Sequence, residues 1–305
     1  MKSERRPIVK SGMALSLVCL ILGTPSLSLG WGAGGHMMVA QIAFRRLNPK
    51  AKAKANELLA LAIKPAAVTA KSKDFVNAAH WPDDLREFPE FDSFKPFHFI
   101  DNAFATDGTA LPAGVPEPEN IVKALEDNVN ILKTSRDKHA QAQALRFIIH
   151  FVGDIHQPLH CAARVDAAHP DGDRGGNLVA IKVPGANGKL KDTNLHSYWD
   201  GGIGSFPPTG AHFRPPALRT IPAAAARARR GNPASDPALN LTEPFNFSSW
   251  ADESFALARE VAYDGITDGA RPSLAYRRQA LTVARKRVAW GGYRLAALLN
   301  AIWPD

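Results

Sequence analysis

The sequence predicts an all-α protein: one mostly helical domain carrying a single small β-hairpin. Three observations predict it. Helix-forming runs with apolar residues at helical spacing recur along most of the chain. Prolines and Gly- or Asp-rich stretches fall between those runs, where they end one helix before the next. One stretch alone, Leu178–Val183 followed by Asn187-Gly188, carries a hairpin turn signal. No internal repeat and no linker divides the chain of 305 residues, so residues 31–305 form one domain behind a leader.

The leader is residues 1–30. Lys2, Arg5, Arg6 and Lys10 make a positive start, and Met13–Leu22 is an apolar run too short to span a bilayer comfortably. Ser28-Leu29-Gly30 puts small residues where a signal peptidase would cut before Trp31. No later apolar run is long enough for a membrane span. The expectation is an exported protein, periplasmic or secreted, soluble once the leader is gone. The mature part carries 33 Lys and Arg against 28 Asp and Glu, a net charge of +5, a mild excess that suits a polyanionic substrate. Cys19 leaves with the leader and Cys161 remains alone, so no internal disulfide is available and the core must hold the domain together. Cys161 reads as a small buried residue.

In chain order, His36–Leu47 is a helix with Met38, Ile42 and Ala43 on one face, ended by Pro49. Glycines 32, 34 and 35 before it let the backbone fold back tightly. Lys50–Ile63 is a second, basic helix closed by Pro65. Asp74–Trp81 is a short helical stretch halted by Pro82. Pro89–Pro96 is an aromatic loop, Phe97–Asp101 is extended or turn-like, and residues 102–118 are loop. Helices follow at Glu119–Lys133 and over residues 140–156. Residues 161–177 are loop, the hairpin comes next, and Asn194–Asp200 leads into the least readable part, Gly201–Pro244. There Ala223–Arg230 forms a short basic helix after Pro222. Phe247–Tyr263 and Pro272–Ile302 close the chain, the last turning Leu281, Val288, Leu295 and Leu299 inward.

The chemistry is concentrated in His150-Phe-Val-Gly-Asp154-Ile-His156-Gln-Pro-Leu-His160. On a helix His150 and Asp154 share one face, and Pro158 turns the chain so that His160 leaves in another direction. Two imidazoles and a carboxylate at a helix end suit zinc, which takes N and O donors. Donor types recur at Trp31/His36, at Asp83, at His98 and at His196/Asp200, the last pair again four residues apart. Each has an ordinary structural account on its own: a cap, a packed core histidine, a local hydrogen bond. Together they require five coincidences around one helix. Trp31 joins them because a free α-amino group, once unprotonated, is a zinc donor whose own carbonyl oxygen can close a chelate ring.

The segments Trp31-Gly-x-x-Gly-His36, Trp81-x-Asp83, Lys95-Pro-Phe-His98-Phe-Ile-Asp101, the His150–His160 motif, Gly175-Gly-Asn177, Asn194-Leu-His196-x-x-Trp-Asp200 and Gly291-Gly-Tyr293-Arg-Leu-Ala-Ala297 stand in that order. In this the chain resembles the three-zinc, single-strand-specific nucleases, the fungal S-one and P-one type with plant and bacterial relatives, over nearly all of residues 31–305. The resemblance implies a phospholipase C/zinc nuclease-like fold and three Zn2+ ions. It places one ion on Asp83, His98, His150 and Asp154. A second takes the amino nitrogen and carbonyl of Trp31, with His36 and Asp154, so that Asp154 bridges. The third takes His160, His196 and Asp200. It also implies Arg86 beside the scissile phosphate, Phe99, Asp101 and Asn177 around a base, and a hydrogen-bonding role for His156. The implied reaction is hydrolysis of single-stranded DNA or RNA, and of 3′-nucleotides, to 5′-phosphate products by water activated on zinc. Single-stranded nucleic acid or nucleotide is then the partner, and the enzyme acts as a monomer.

Three departures stand out. The chain lacks the disulfides of fungal and plant members, Pro82 replaces a residue usually small, and residues 203–243 match poorly. The alternative is a zinc phospholipase C acting on phospholipid head groups, which shares the fold and the N-terminal Trp. That family closes its last site with His-x-x-x-Glu and sets its first His further from the Trp, whereas here the pair ends in Asp200 and His36 is five residues on. A zinc-storage protein would show one closed site or a His-rich tract, and neither occurs. His80, His139, His169 and His212 are left as surface or core residues.

Overall fold

The computed structural model describes residues 31–185, 188–210 and 214–305. The leader assigned to residues 1–30 lies outside them, as do Asn187 of the hairpin turn and His212. The described chain is mostly helical, with two small sheets, as the helical periodicity predicts.

Helix α1 (Ala33–Phe44) begins three residues before His36, so Gly34 and Gly35 lie inside it. A Cβ on Gly35 would stand 2.6 Å from the Trp31 Cβ, and one on Gly34 would stand 2.0 Å from the Pro207 carbonyl oxygen. These two glycines do not make a flexible turn; they let a helix touch its neighbours. Pro49 does not end α1 but opens α2 (Pro49–Leu59), behind Asn48, whose side chain accepts from the Ala51 N–H. A proline at that position gives up an N–H that has no helical partner anyway. The same physics corrects Pro82. The 3-10 turn Asn77–His80 runs straight into α4 (Trp81–Asp84) with Pro82 in its first turn. Before it, α3 (Ala66–Thr69) is a single turn.

Residues 89–98 coil as 3-10 turns, with Phe94 against Phe147 at 4.8 Å between ring centroids. Strand β1 (Ala103–Ala105) lies in a stretch expected to be loop and pairs in parallel with β2 (Ala163–Val165), Ala103 opposite Ala163. Three residues are too few for alternation to show in a sequence. Next come α5 (Ile121–Thr134), capped by Asn120, and α6 (Lys138–Asp154), capped by Asp137. The hairpin is β3 (Ala180–Pro184) and β4 (Leu190–Asn194), antiparallel, with Ala180 opposite Asn194. Asn194 then caps α7 (Leu195–Asp200), its side chain accepting from the Ser197 N–H. Helix α8 (Ile221–Arg229) starts with Pro222 in its first turn. Helix α9 (Phe247–Leu257) runs on as a π turn over Ala258–Ala262. The 29-residue α10 (Leu274–Ile302) is capped by Ser273 and buries Val288, Leu295 and Leu299, while Leu281 is only half-buried.

Helix α6 sits in the middle. From Ala144 to Asp154 every residue is buried, because α5, α2, α10 and α1 pack around it. A helix apolar on all sides needs cover on all sides. Each fully buried Leu, Ile or Phe contributes about 1.5–3 kcal/mol, so Leu145, Phe147, Ile148, Ile149 and Phe151 anchor the helix whose C-terminal turn carries the polar chemistry. Among the described residues no helix is long and apolar enough to cross a membrane.

Candidate metal centre

At the C-terminal end of α6 the structure gathers donors from six separate stretches. Each of three groups brings its ligand atoms within 4.8 Å of one another: His36, His150 and Asp154; Asp83, His98 and His150; His160, His196 and Asp200. All eight side chains are buried. The two carboxylate oxygens of Asp154 point different ways. Oδ1 lies 3.2 Å from His36 Nε2, and Oδ2 lies 3.0 Å from both His98 Nδ1 and His150 Nε2.

The ring orientations follow from backbone carbonyls. A carbonyl oxygen can only accept, so a ring nitrogen beside one carries a proton, and in a neutral ring the other nitrogen is then the acceptor or ligand atom. His150 Nδ1 donates to Ala79 O at 2.7 Å, His160 Nδ1 to His98 O at 2.6 Å, and His196 Nδ1 to Gly175 O at 2.7 Å. The outward nitrogens of the second and third rings face each other: His160 Nε2 and His196 Nε2 are 3.0 Å apart, and in neutral rings both carry lone pairs. Two opposed lone pairs repel, and a cation between the donor sets removes the repulsion. The outer hydrogen bonds are of the kind that orients metal-binding imidazoles.

Other atoms make the same demand. Both ring nitrogens of His36, with Asp83 Oδ1 and Asp154 Oδ1, are buried without a hydrogen bond, their closest charged neighbours being each other and Arg86, a state that costs free energy unless something else satisfies it. His36 stacks on His150 with ring centroids 3.8 Å apart. That approach exists because position 153 is glycine: a Cβ there would sit 2.5 Å from His36 Nδ1. Gly175 combines a φ of 61° with a would-be Cβ contact of 2.3 Å to Leu159 O. Only glycine supplies the carbonyl that orients His196 there at no steric cost.

Burial and charge set the protonation states. Burial pushes His36 down, and His98 down to about 4, keeping both imidazoles neutral. Burial also works against the charged form of His150, but Asp154 and Asp83 outweigh it and raise that imidazole. His150 in turn leads the charges that hold the Asp154 carboxyl well below its usual range against burial. In Asp83 burial is likewise overcome, chiefly by Arg86 and His150. Asp200 goes the other way: burial raises it well above a normal carboxylate, although Gln157 Nε2 donates to its Oδ1 at 2.8 Å. A buried Asp200 beside His160 and His196 stays ionised when a cation sits with it. The donor set of imidazoles and carboxylates therefore fits zinc, whose binding would displace the proton that Asp154 and Asp83 favour on His150.

The structure brings every side chain of the expected ligand set together. Trp31 is fully buried beside them, its ring 5.4 Å from Phe206, and the Gly32 N–H donates to Asp200 O at 3.0 Å. Arg86 Nη2 lies 2.8 Å from Asp83 Oδ1, and its Nη1 is buried and unpartnered. Phe97 packs against the core, whereas Phe99 does not belong to that cluster and is partly exposed. Burial beside Asp173 raises Asp101 to about 6. Asn177 sits in the adjoining Asp173–Asn177 turn, with its Oδ1 buried and unpartnered.

His156 is the expected site residue that behaves differently. It hydrogen-bonds no ligand: Nδ1 donates to Val152 O at 2.8 Å and Nε2 accepts from Arg294 at 3.1 Å. Gln157, which steadies Asp200, was not singled out by sequence reasoning. Its place inside the His156–His160 run was the available signal. Cys161 is buried and its thiol is pushed up to about 12 by that burial, in keeping with a packing role.

A family model described as S1/P1 Nuclease matches residues 31–304. The chain is similar to Endonuclease 3 of Arabidopsis thaliana, 29% identical over 287 residues, covering 90% of this chain and 90% of that protein. It is similar to Nuclease S1 of Aspergillus oryzae, 26% identical over 303 residues, covering 94% and 97%. It is also similar to Nuclease P1 of Penicillium citrinum, 26% identical over 296 residues, covering 89% and 97%. The phospholipase C alternative is not favoured.

Proposed function

Because this chain belongs to the S1/P1 nuclease family, we propose that it is a zinc-dependent phosphodiesterase. It hydrolyses single-stranded DNA and RNA, and 3′-nucleotides, to 5′-phosphate products. Residues 1–30 are a signal sequence removed on export to the periplasm or beyond, and residues 31–305 are the working nuclease. The observation that carries the reading is the convergence of three donor groups around Asp154, with His160 and His196 turned toward each other by the carbonyls that hold their Nδ1 atoms.

Three zinc ions would be held as follows: one by Asp83, His98, His150 and Asp154, one by Trp31, His36 and Asp154, and one by His160, His196 and Asp200. When bound, zinc supplies a Lewis acid for phosphoryl oxygens and lowers the pKa of water toward neutrality. The chain's own residues do the rest. Arg86, paired through Nη2 with Asp83 and with Nη1 left without a partner, would offer its guanidinium to charge that grows on the phosphoryl group. Phe99 offers an uncommitted ring for a base to stack on. Asp101 and Asn177 present polar atoms to that base's edge. Stacking and edge contacts need an unpaired base, which is why single strands are preferred.

The test is purified mature protein incubated with single-stranded DNA, RNA, 3′-AMP and phosphatidylcholine, with and without a chelator. Chelator-sensitive release of 5′-phosphate ends from the nucleic acids is expected. Hydrolysis of phosphatidylcholine alone would overturn the reading.

A further inference from the structure

A cavity opens beside the metal centre. It has a volume of about 720 Å³, and its walls include Gly32, Asp200, Tyr198, Thr193, Lys191 and Arg277. Gly32 and Asp200 are joined by the hydrogen bond that ties the Trp31 end to α7, so the cavity begins where the donor cluster ends. Its far side is built by β4 and the first turn of α10.

The charges around it are sorted. Side chains alternate along a strand, so Lys191 and Thr193 face the cavity while Asp192 between them turns away and pairs with Lys182 at 2.9 Å. The acid that might have neutralised Lys191 is held on the opposite face by another lysine. Arg277 has its Nε buried with no hydrogen-bond partner. Among the described residues neither Lys191 nor Arg277 forms an ion pair. Asp200 is the acid on the cavity wall, and in the proposed function its charge is committed to zinc. A buried guanidinium nitrogen without an acceptor costs free energy, and planar guanidinium forks fit phosphate. Two uncommitted cations beside hydroxyl-bearing Thr193 and Tyr198 therefore describe a phosphate subsite.

We infer that this cavity binds a backbone phosphate of a single strand running past the metal centre, so that Lys191 and Arg277 favour oligonucleotides over mononucleotides and dinucleotides. The inference rests on the proposed function for its choice of nucleic acid as occupant. Both residues bind phosphate away from the bond that is cut, so they act on affinity and not on the chemical step.

The test compares zinc-loaded protein with its Arg277→Ala, Lys191→Ala and Arg277→Lys variants. The probe is a fluorescein-labelled single-stranded decamer with phosphorothioate links, followed by anisotropy against KCl. Beside it, kcat/KM is measured on a dinucleotide. Arg277→Ala should raise Kd for the decamer about tenfold at low salt. Each alanine variant should reduce the slope of log Kd against log salt by about 0.7, the value for one single-strand phosphate. Arg277→Lys should restore the slope, and dinucleotide cleavage should stay unchanged throughout. An unchanged Kd and slope in both alanine variants overturns the subsite. So does an equal loss on decamer and dinucleotide with a lowered melting temperature, which would make the residues structural. Wild-type protein that binds the decamer in this way but cuts neither the dinucleotide nor an unmodified decamer overturns the hydrolase reading and leaves the subsite standing.

Discussion

Two buried polar clusters meet at the end of α6, and they are built on opposite principles. On one side are His150 and Asp154 with their partners, on the other is His156, two residues beyond Asp154. The His156 side is closed. Arg294 reaches both Glu253 oxygens and Leu239 O, and Arg287 reaches Glu253, Ser254 and His156 O. No side-chain nitrogen or oxygen of His156, Glu253, Arg287 or Arg294 is left buried and unpartnered. The His150 side is open, with orphaned atoms on His36, Asp83 and Asp154 and imidazole lone pairs turned on each other. The His156 side is closed by two buried arginines on a partly exposed Glu253, whereas the His150 side sets imidazoles and carboxylates together with Arg86 as the cation at its edge. The closed cluster holds the fold; the open one calls for something the chain does not supply.

The largest effect should follow from breaking the open side at its shared member. Under the proposed function Asp154→Asn weakens two ion sites, whereas Asp200→Asn touches one. Activity should fall by more than the roughly 10- to 100-fold typical of losing a supporting partner, and elemental analysis should find more zinc lost than in Asp200→Asn. Equal zinc loss in the two variants would mean that Asp154 does not bridge. Nearly as large is the effect of one residue added before Trp31 in the mature protein. It blocks the α-amino donor, so zinc content should drop by one ion and activity should collapse. An extended form that keeps full activity and zinc would remove Trp31 from the ligand set.

Arg86→Ala comes next. Its guanidinium serves charge that grows in the transition state, so kcat should fall by about 10²–10³ on every nucleotide substrate with KM little changed. A rise confined to KM would place Arg86 in ground-state binding instead. The closed cluster responds in a different currency. His156→Ala takes an acceptor from Arg294 and a ring from beside Trp250, 5.4 Å away. We expect a lowered melting temperature, equivalent to about 1–3 kcal/mol, with zinc content unchanged. Zinc loss at an unaltered melting temperature would erase the distinction between the clusters.

How legible each side was follows from the same physics. The ligand types advertise themselves, because His and Asp at four-residue spacing on an otherwise apolar helix have few other uses. The helices were legible from periodicity, and α5, α6, α8 and α10 fall close to their expected places. What stayed hidden depends on distant partners. Nothing near Gly175 in sequence tells that its carbonyl orients His196, and nothing near His156 tells that Arg294, 138 residues on, completes it. Pro49 and Pro82 read as helix ends in the sequence and open helices in the structure, because a proline ends one helix and opens another with the same ring. The parallel pair β1–β2 joins segments sixty residues apart in strands of three, a signal no local pattern carries.

The smallest expected effect tests where the open side meets substrate. Phe97 and Phe99 flank His98, yet Phe97 packs on the core and Phe99 does not. The backbone at Phe99 is extended, and its carbonyl accepts the Ile121 N–H at 3.0 Å, so the main chain is held while the ring stays uncommitted. Phe99→Ala should therefore leave the melting temperature almost untouched. It should weaken single-stranded DNA by about 1–3 kcal/mol, the range for one stacked base, and spare bis-p-nitrophenyl phosphate, which has no base to stack. If instead both substrates lose equally and the protein melts earlier, the ring is a packing element after all. Base recognition would then rest on Asp101 and Asn177 without it.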